Sequence, residues 1–441
     1  MGLEVVSRQS GAPEVSAKPP STMSASYQRQ TCRLCGGTDH DLVLPLTPAP
    51  IVDAYVPAAR LQEAQPAYPL DLFLCRGCGH AQLLHVVDPE LLYVNYLYVT
   101  TSSLGLPEHF QRYADDVVAR VRPAAGALVV DIGSNDGTLL RTFKRHGLRV
   151  LGIDPAREIA AHASASGIDT LPIFFTAKQA GDIRRERGPA AIVTVNNLFA
   201  NVDDLVDMTT GIRELLAPDG VLIFESFYLA DVIQHMVFDF IYHEHLSAFS
   251  VKPVVAFFRR YGMELIDAQR VPTKGGSLRY TVQLAGGPRQ VSPSVDALMR
   301  FEDHLGLHRP EIFKRFTAEI DQAKHQLRDD LQQRTAQGHT IAGYGASATT
   351  TVLMYHFGLR EFLSVIADDN PTRQGLFSPG CHIPVVSPQI LYEHQPDNVL
   401  VLAWRYADPI MKKHQAYRAR GGRFIVPLPC LKVFDAKTAN G

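Results

Sequence analysis

Long apolar runs are missing from this chain. Across 441 residues, no stretch approaches the roughly 18 consecutive apolar positions that a bilayer-spanning helix needs, so no membrane partner is expected. A surplus of charge is missing too. Lys and Arg total 43 against 45 Asp and Glu, a formal net charge of −2. Nucleic acid and anionic surfaces are recognised through a strongly basic field, so neither is expected as a partner. Residues 1–27 are rich in Ser, Pro, Ala and Gly and lack the apolar core of a secretion signal. They read as a disordered leader in which Met23 offers an alternative start, and the chain reads as cytoplasmic. Cysteine is scarce, with six residues, yet four of them fall in two CxxC pairs. Without a secretion signal, that spacing points to metal and not to disulfides.

What remains is an ordinary globular composition, 46% apolar and 20% charged, long enough for two or three domains. The organising stretch is Leu128 to Leu140, LVVDIGSNDGTLL. A buried strand runs into a glycine-bracketed loop, Gly133-Ser134-Asn135-Asp136-Gly137, and then into an apolar helix start. A second strand ends at Asp154. Such a β-loop-α-β unit holds an adenosine cofactor, the glycines letting the backbone approach and the second-strand carboxylate taking the ribose hydroxyls. The loop departs from GxGxxG, and Asp136 suits a cofactor bearing an amino acid better than one bearing a pyrophosphate. S-adenosylmethionine (SAM) is the natural candidate; a βα turn without a ligand is the alternative. Asp131, at the end of the first strand, is grouped with this loop.

Around that unit, residues 104–285 alternate helices and strands: helix 106–122, helix 137–147, strand 150–153, helix 156–166, strand Ala190 to Asn196, helix 203–217, a Pro218-Asp219-Gly220 turn and strand Val221–Phe224. The alternation predicts a parallel sheet with ligands at the carboxyl ends of its strands. Asp131–Gly137, Asp154, Asn196–Asn201 (with Asn197) and Glu225–Ser226 lie at such ends. Phe174 and Phe175 are either adenine-stacking rings or core. Tyr242-His243-Glu244-His245 then places a phenol, two imidazoles and a carboxylate together. It is not HExxH, and histidines at i and i+2 diverge, so acid/base work is the expectation and zinc is not. Lys274-Gly275-Gly276-Ser277-Leu278-Arg279 reads as a glycine turn presenting Arg279.

Residues 28–100 form an N-terminal module. Cys32, Cys35, Cys75 and Cys78 sit on two tight turns, the geometry of a closed four-thiolate structural zinc site, with a reduced, metal-free pair of turns the main alternative and iron a minor one; His80 is expected to pack or line a cleft. Tyr93 to Ser103 is dense in hydroxyls, serving either as a cap and packing or as a polar lid on a neighbouring site. Residues 286–441 form a C-terminal domain entered by an amphipathic helix at about 310–336, with Phe313, Phe316, Ile320 and Leu327 on one side. Gly343-Tyr344-Gly345-Ala346-Ser347 is a second strand-to-helix glycine turn, with amides suited to an anion or a nucleotide cofactor. Cys381 and Cys430 read as packing residues.

Four features in order, CxxC…CxxCGH, DIGSNDGTLL, IYHEHLS with GGSLR, and GYGASA with DDNPTRQG, resemble the sugar C-methyltransferases over roughly residues 30–435. That family acts on nucleotide-linked 4-ketosugars in antibiotic and surface-polysaccharide pathways. The resemblance implies an α/β protein: an N-terminal four-cysteine zinc module, a class I methyltransferase (Rossmann-like) middle domain and a C-terminal Rossmann-like domain that holds a nucleotide-sugar, typically a thymidine-diphosphate (dTDP) ketosugar. It implies that Tyr242, Glu244 and His245 face the active site, with His245 the base, and that Tyr96 or Tyr98 reaches the sugar. Asn201, Arg279, Tyr344 and Ser347 are the further substrate-side expectations. Two positions depart from the family pattern: Asn201 stands where a His is usual, and Thr349 where a Lys is usual. A divergent acceptor is therefore one expectation. The alternatives are a same-architecture methyltransferase acting on a hydroxyl, an amine or a non-sugar ketone, and a non-catalytic, NAD-binding relative. A monomer is the default expectation.

Overall fold

The computed structural model describes residues 25–93, 99–102 and 105–436. Most of the expected leader, and both Tyr96 and Tyr98, lie outside the described residues. The leader's boundary needs one correction: Ser26–Gln28 form a strand antiparallel to His85–Val87.

The middle sheet has seven strands in the order Met263–Val271, Ser277–Leu284, Leu216–Phe227, Ala190–Asn196, Leu128–Ile132, Arg149–Ile153 and Thr170–Leu171. Only Ser277–Leu284 runs antiparallel to its neighbours. This is the class I methyltransferase order. Every residue of Leu128–Ile132 is buried, as befits a parallel strand covered on both faces, where apolar positions run continuously instead of alternating. Helices Leu106–Val121, Thr138–Arg145, Arg157–Ala165, Ala177–Arg187 and Leu205–Leu215 supply the cover. The Pro218-Asp219-Gly220 turn lies inside a strand: Leu216 pairs with Ala190 and Val221 with Ile192, and the residues between bulge out. A Cβ at Gly220 would sit 2.7 Å from the Ala190 carbonyl, so the bulge needs glycine.

The C-terminal sheet has six strands, five parallel around Ile341–Tyr344 and Asn398–Val401, with Lys432–Phe434 antiparallel at one edge. Helix Pro310–Ala336 buries Phe313, Phe316, Ile320 and Leu327 as the periodicity predicted. It does more than connect: Thr317 donates to the Val43 carbonyl of the N-terminal module. Helix Pro293–Leu305 had no reading in the sequence. Its buried Glu302 accepts from the Val251 and Lys252 amides and so caps helix Val251–Arg260.

The N-terminal module contributes a four-stranded sheet whose edge strand is not its own. Ser247–Ala248, directly after the Tyr242–His245 cluster, pairs with Ala81–Leu83, which continues to Leu72–Cys75 and His40–Leu44. One apolar core runs from Leu72 and Leu83 through Phe199, Phe224 and Phe249 to Val399 and Ile425. No described helix is long and apolar enough to cross a membrane.

Candidate active site and zinc centre

The four cysteines converge, with all four Sγ atoms within 4.8 Å of one another. Cys32 and Cys78 approach to 3.6 Å and Cys35 and Cys75 to 3.5 Å. A zinc–sulfur distance of about 2.3 Å sets the tetrahedral edge at about 3.8 Å, so the cage fits the ion. The Gly37 amide donates to Cys35 Sγ. His80 is buried and faces Ser247 at 3.2 Å, and burial pushes its pKa down to about 4; it packs, as expected.

The glycine loop sits at the carboxyl end of the Leu128–Ile132 strand. Gly133 (φ +77°), Asn135 (φ +49°) and Gly137 (φ +75°) are left-handed. A Cβ at Gly133 would lie 2.8 Å from Leu198. Asp154 accepts from the Asn135 and Ala156 amides, both at 2.9 Å, and burial raises its pKa. Asp131 lies beneath the loop, accepting from Thr194 Oγ1 at 2.6 Å, and burial lifts it to about 7. The Ser134 side chain turns down over Gly152. Asp136 is already engaged: Oδ1 takes the Thr138 amide and hydroxyl, and Oδ2 the Thr101 amide. Asn135 Oδ1 takes the amide and hydroxyl of Thr100. Thr100 and Thr101 therefore strap over the loop. Phe174 is exposed, whereas Phe175 packs against Gly211.

Beside this loop opens a pocket lined by Asn197, Ala200, Asn201, Ser226, Phe227, Phe240, His245 and Lys274. His245 Nδ1 lies 2.6 Å from the Phe240 carbonyl. A carbonyl can only accept, so Nδ1 carries the hydrogen and Nε2 carries a lone pair. Burial, then nearby Lys274, push His245 down to about 3, with the Phe240 carbonyl opposing. Tyr242 packs against His245 at a tilt, with ring centroids 4.0 Å apart, and is raised well above 10 by burial and by Glu244, so it stays a neutral phenol. The i, i+2 divergence holds: His243 bonds the Tyr68 carbonyl of the N-terminal module at 3.1 Å.

Three residues at or near this pocket were missed by reasoning from sequence. Lys274 (φ +54°) lines it from the glycine turn; its neighbour Arg279 was named instead. The Tyr93 hydroxyl is buried near Asn201, Glu244 and Tyr242, whereas Tyr96 and Tyr98 lie outside the described residues. Arg405 donates to Thr349 Oγ1 at 3.1 Å and pairs with both oxygens of buried Asp239, so a guanidinium stands beside the position where lysine is usual. No local signal marks any of the three, because each meets its neighbours from a separate segment of the chain.

Arg279 is a correction. It does not reach the pocket. Its guanidinium is held in a buried network, 2.7 Å from Glu225 Oε1, 3.4 Å from Asp116 and 4.1 Å above the Tyr113 ring, while His109 takes the other Glu225 oxygen. Antiparallel pairing of Arg279 with Glu225 puts the two charges side by side, and a buried charge needs its partner. Tyr344 is likewise committed, its hydroxyl 2.9 Å from His414 Nε2. Ser347 forms a capping box with Thr350 on helix Ala348–Phe357.

A seven-stranded sheet of this order, with a glycine loop at its first strand and an acid at its second, defines a SAM-dependent methyltransferase of class I. Family models match along the chain in sequence: a zinc binding domain over residues 32–93, a methyltransferase domain over 107–268 and a C-methyltransferase C-terminal domain over 272–429. The C-methyltransferase NovU of Streptomyces niveus is 32% identical over 408 residues, covering 92% of this chain and 97% of that one. The chain belongs to this C-methyltransferase family. Among solved structures, the magnesium protoporphyrin IX methyltransferase of Synechocystis PCC 6803 with bound SAH is 14% identical, covering 42% of this chain and 84% of that one at a TM-score of 0.33. The N-methyltransferase NodS of Bradyrhizobium japonicum is 14% identical, covering 40% and 97% at 0.30. Likeness of that degree adds nothing about the site.

Proposed function

We propose that this enzyme methylates the carbon next to the ketone of a nucleotide-linked 4-ketosugar, a dTDP sugar in the first instance. His245 takes the proton and SAM supplies the methyl group. The single observation that carries the reading is the His245–Phe240 bond, which places the hydrogen on Nδ1, while burial keeps the imidazole neutral and leaves Nε2 its lone pair. Asn201 cannot serve as a base, and His245 is the only imidazole among the described residues lining the pocket.

The carbon–hydrogen bond beside a ketone is acidic only if the enolate oxygen is stabilised as it forms. An imidazole held near 3 is a weak base. Lys274 offsets that weakness: its ammonium lines the same pocket and is suited to the developing oxyanion, with Tyr242 and Tyr93 as neutral hydrogen-bond donors. The imidazolium then forms opposite the enolate, an ion pair made only along the reaction, which is where binding energy accelerates chemistry. The Gly133–Gly137 loop and Asp154 are positioned to hold SAM. Ser226, a buried hydroxyl with no hydrogen-bond partner among the described residues, is available between donor and pocket. The Gly345 turn, with Arg373 donating to the Ala346 carbonyl and Arg405 beside Thr349, is the expected seat of the nucleotide diphosphate.

The test is proton washout. The enzyme, a dTDP-4-keto-6-deoxyhexose and S-adenosylhomocysteine (SAH) in deuterated water should replace the acidic proton of the sugar by deuterium. No exchange across a panel of ketosugars would sink the reading in favour of another acceptor.

A further inference from the structure

Arg33 stands between the two cysteines of the first zinc knuckle, and its side chain is buried completely, 0% exposed. A buried guanidinium is costly unless its N–H groups find acceptors. The acceptors here come from three distant parts of the chain. Nη1 donates to the Leu83 carbonyl, to Gln82 Oε1 at 3.2 Å and to the Leu246 carbonyl at 3.4 Å. Nε donates to Asp203 Oδ1 at 3.0 Å, and Nη2 pairs with the same oxygen at 2.9 Å. The planar fork of arginine suits several fixed oxygens at once, whereas a lysine ammonium would reach fewer.

Those acceptors flank the pocket. Leu246 follows His245, and its carbonyl also accepts from the Leu83 amide at 2.9 Å. Asp203 follows Asn201 by two residues, and Asn201 lines the pocket together with His245. Arg29 also pairs with Asp203, at 3.0 Å. The knuckle thus grips the segment carrying the base and the segment carrying the facing wall. The strand pairing of Ser247 with Gln82 ties the same knuckle sheet to the base a second time.

We propose that Arg33 is a positioning residue for methyl transfer: from the zinc knuckle it sets the spacing between the His245 segment, through the Leu246 carbonyl, and the Asn201 segment, through Asp203. The zinc centre then acts on catalysis at a distance, as the anchor of that arginine. The proposal rests on the reading of His245 as the base.

The experiment compares Arg33→Gln, Arg33→Lys, Asp203→Asn and His245→Asn as full-length, metal-loaded protein. Zinc content, SAH affinity, backbone amide exchange and steady-state kinetics with a dTDP-4-keto-6-deoxyhexose are measured for each. Arg33→Gln is expected to keep its zinc and to bind SAH within about twofold of wild type. Its kcat should fall about 10- to 100-fold, the scale of a small misplacement of reacting groups, with KM for SAM unchanged. Amide exchange should quicken in residues 197–203 and 240–248 but not in 133–137. Arg33→Lys should recover part of the loss. A zinc-loaded Arg33→Gln with wild-type kcat and wild-type amide exchange overturns the proposal. If Arg33→Gln loses zinc or fails to fold, Asp203→Asn decides: lower kcat with faster exchange in 197–203 supports the proposal, and no change in either overturns it. His245→Asn separates the two ideas. If it still exchanges the sugar proton, the base assignment falls, whereas the amide exchange of the Arg33 variants judges the positioning on its own.

Discussion

The two glycine turns of this protein use one backbone device for opposite surroundings. In each, a strand enters a left-handed glycine, a helix leaves, and an aspartate on the next strand takes two amides. Asp154 holds Asn135 and Ala156; Asp368 holds Ala346 and Asn370. The difference lies in what stands around them. The first turn carries Asp136, caps its own helix with that acid and is strapped by Thr100 and Thr101. The second carries no acid, caps its helix with Ser347 and has the guanidinium groups of Arg373 and Arg405 beside it, paired with Asp53 and Asp239. One backbone shape thus carries two different surroundings, an acid-bearing turn and a turn flanked by paired arginines, and this is the basis for the proposed division between methyl donor and nucleotide-sugar.

The proposed division into a methyl-donor side and an acceptor side implies separable losses on mutation. The largest effect is expected at His245. His245→Ala should lower methyl transfer about 10³-fold, within the range for loss of a general base, while SAH affinity stays within about twofold by calorimetry; equal loss of both would erase the division. Asp154→Ala should act in the opposite sense, weakening SAM about 10- to 100-fold while sugar-proton exchange persists at saturating SAH. Arg405→Gln should raise KM for a dTDP-ketosugar about tenfold without touching SAM. It should also destabilise the fold by about 3 kcal/mol, because buried Asp239 loses a partner, which a denaturant melt would show.

The smallest effect is in the pH dependence of stability, where the two sides have opposite signs. Burial holds His243 and His245 at about 4 and 3, below the ordinary value of about 6.5. The unfolded chain binds those protons first, so their contribution is complete above about pH 6.5 and is lost as pH falls toward 3. Asp131 is raised to about 7, so acidification from about pH 7 toward 4 relieves a cost instead. The acceptor side should therefore lose protection against amide exchange on acidification to about pH 5 before the donor loop does. A donor loop that opens first would contradict the assignment.

Much of this was legible in the chain. The cysteine pairs, the Gly133–Gly137 loop, Asp154 and the helix at 310–336 are local patterns, each set by spacing within a few residues. The Tyr242–His245 cluster was legible too, and the divergence of its two histidines follows from their i, i+2 separation. Arg279 was misread because a glycine turn predicts exposure, while the strand partner that buries the arginine, Glu225, is 54 residues away. Lys274, one step before the same glycines, is the residue that reaches the pocket.

By itself, the sequence determined the sheet type, the two glycine turns, the metal cage and the family, because periodicity, turn chemistry and ligand spacing are short-range properties of a chain. Only the tertiary structure decided which polar groups meet. It set Tyr93 against Asn201, Arg405 against Thr349, and Arg33 against Leu246 and Asp203. Those contacts join segments 56 to 213 residues apart, and such pairings depend on strand order and packing, which no local pattern records.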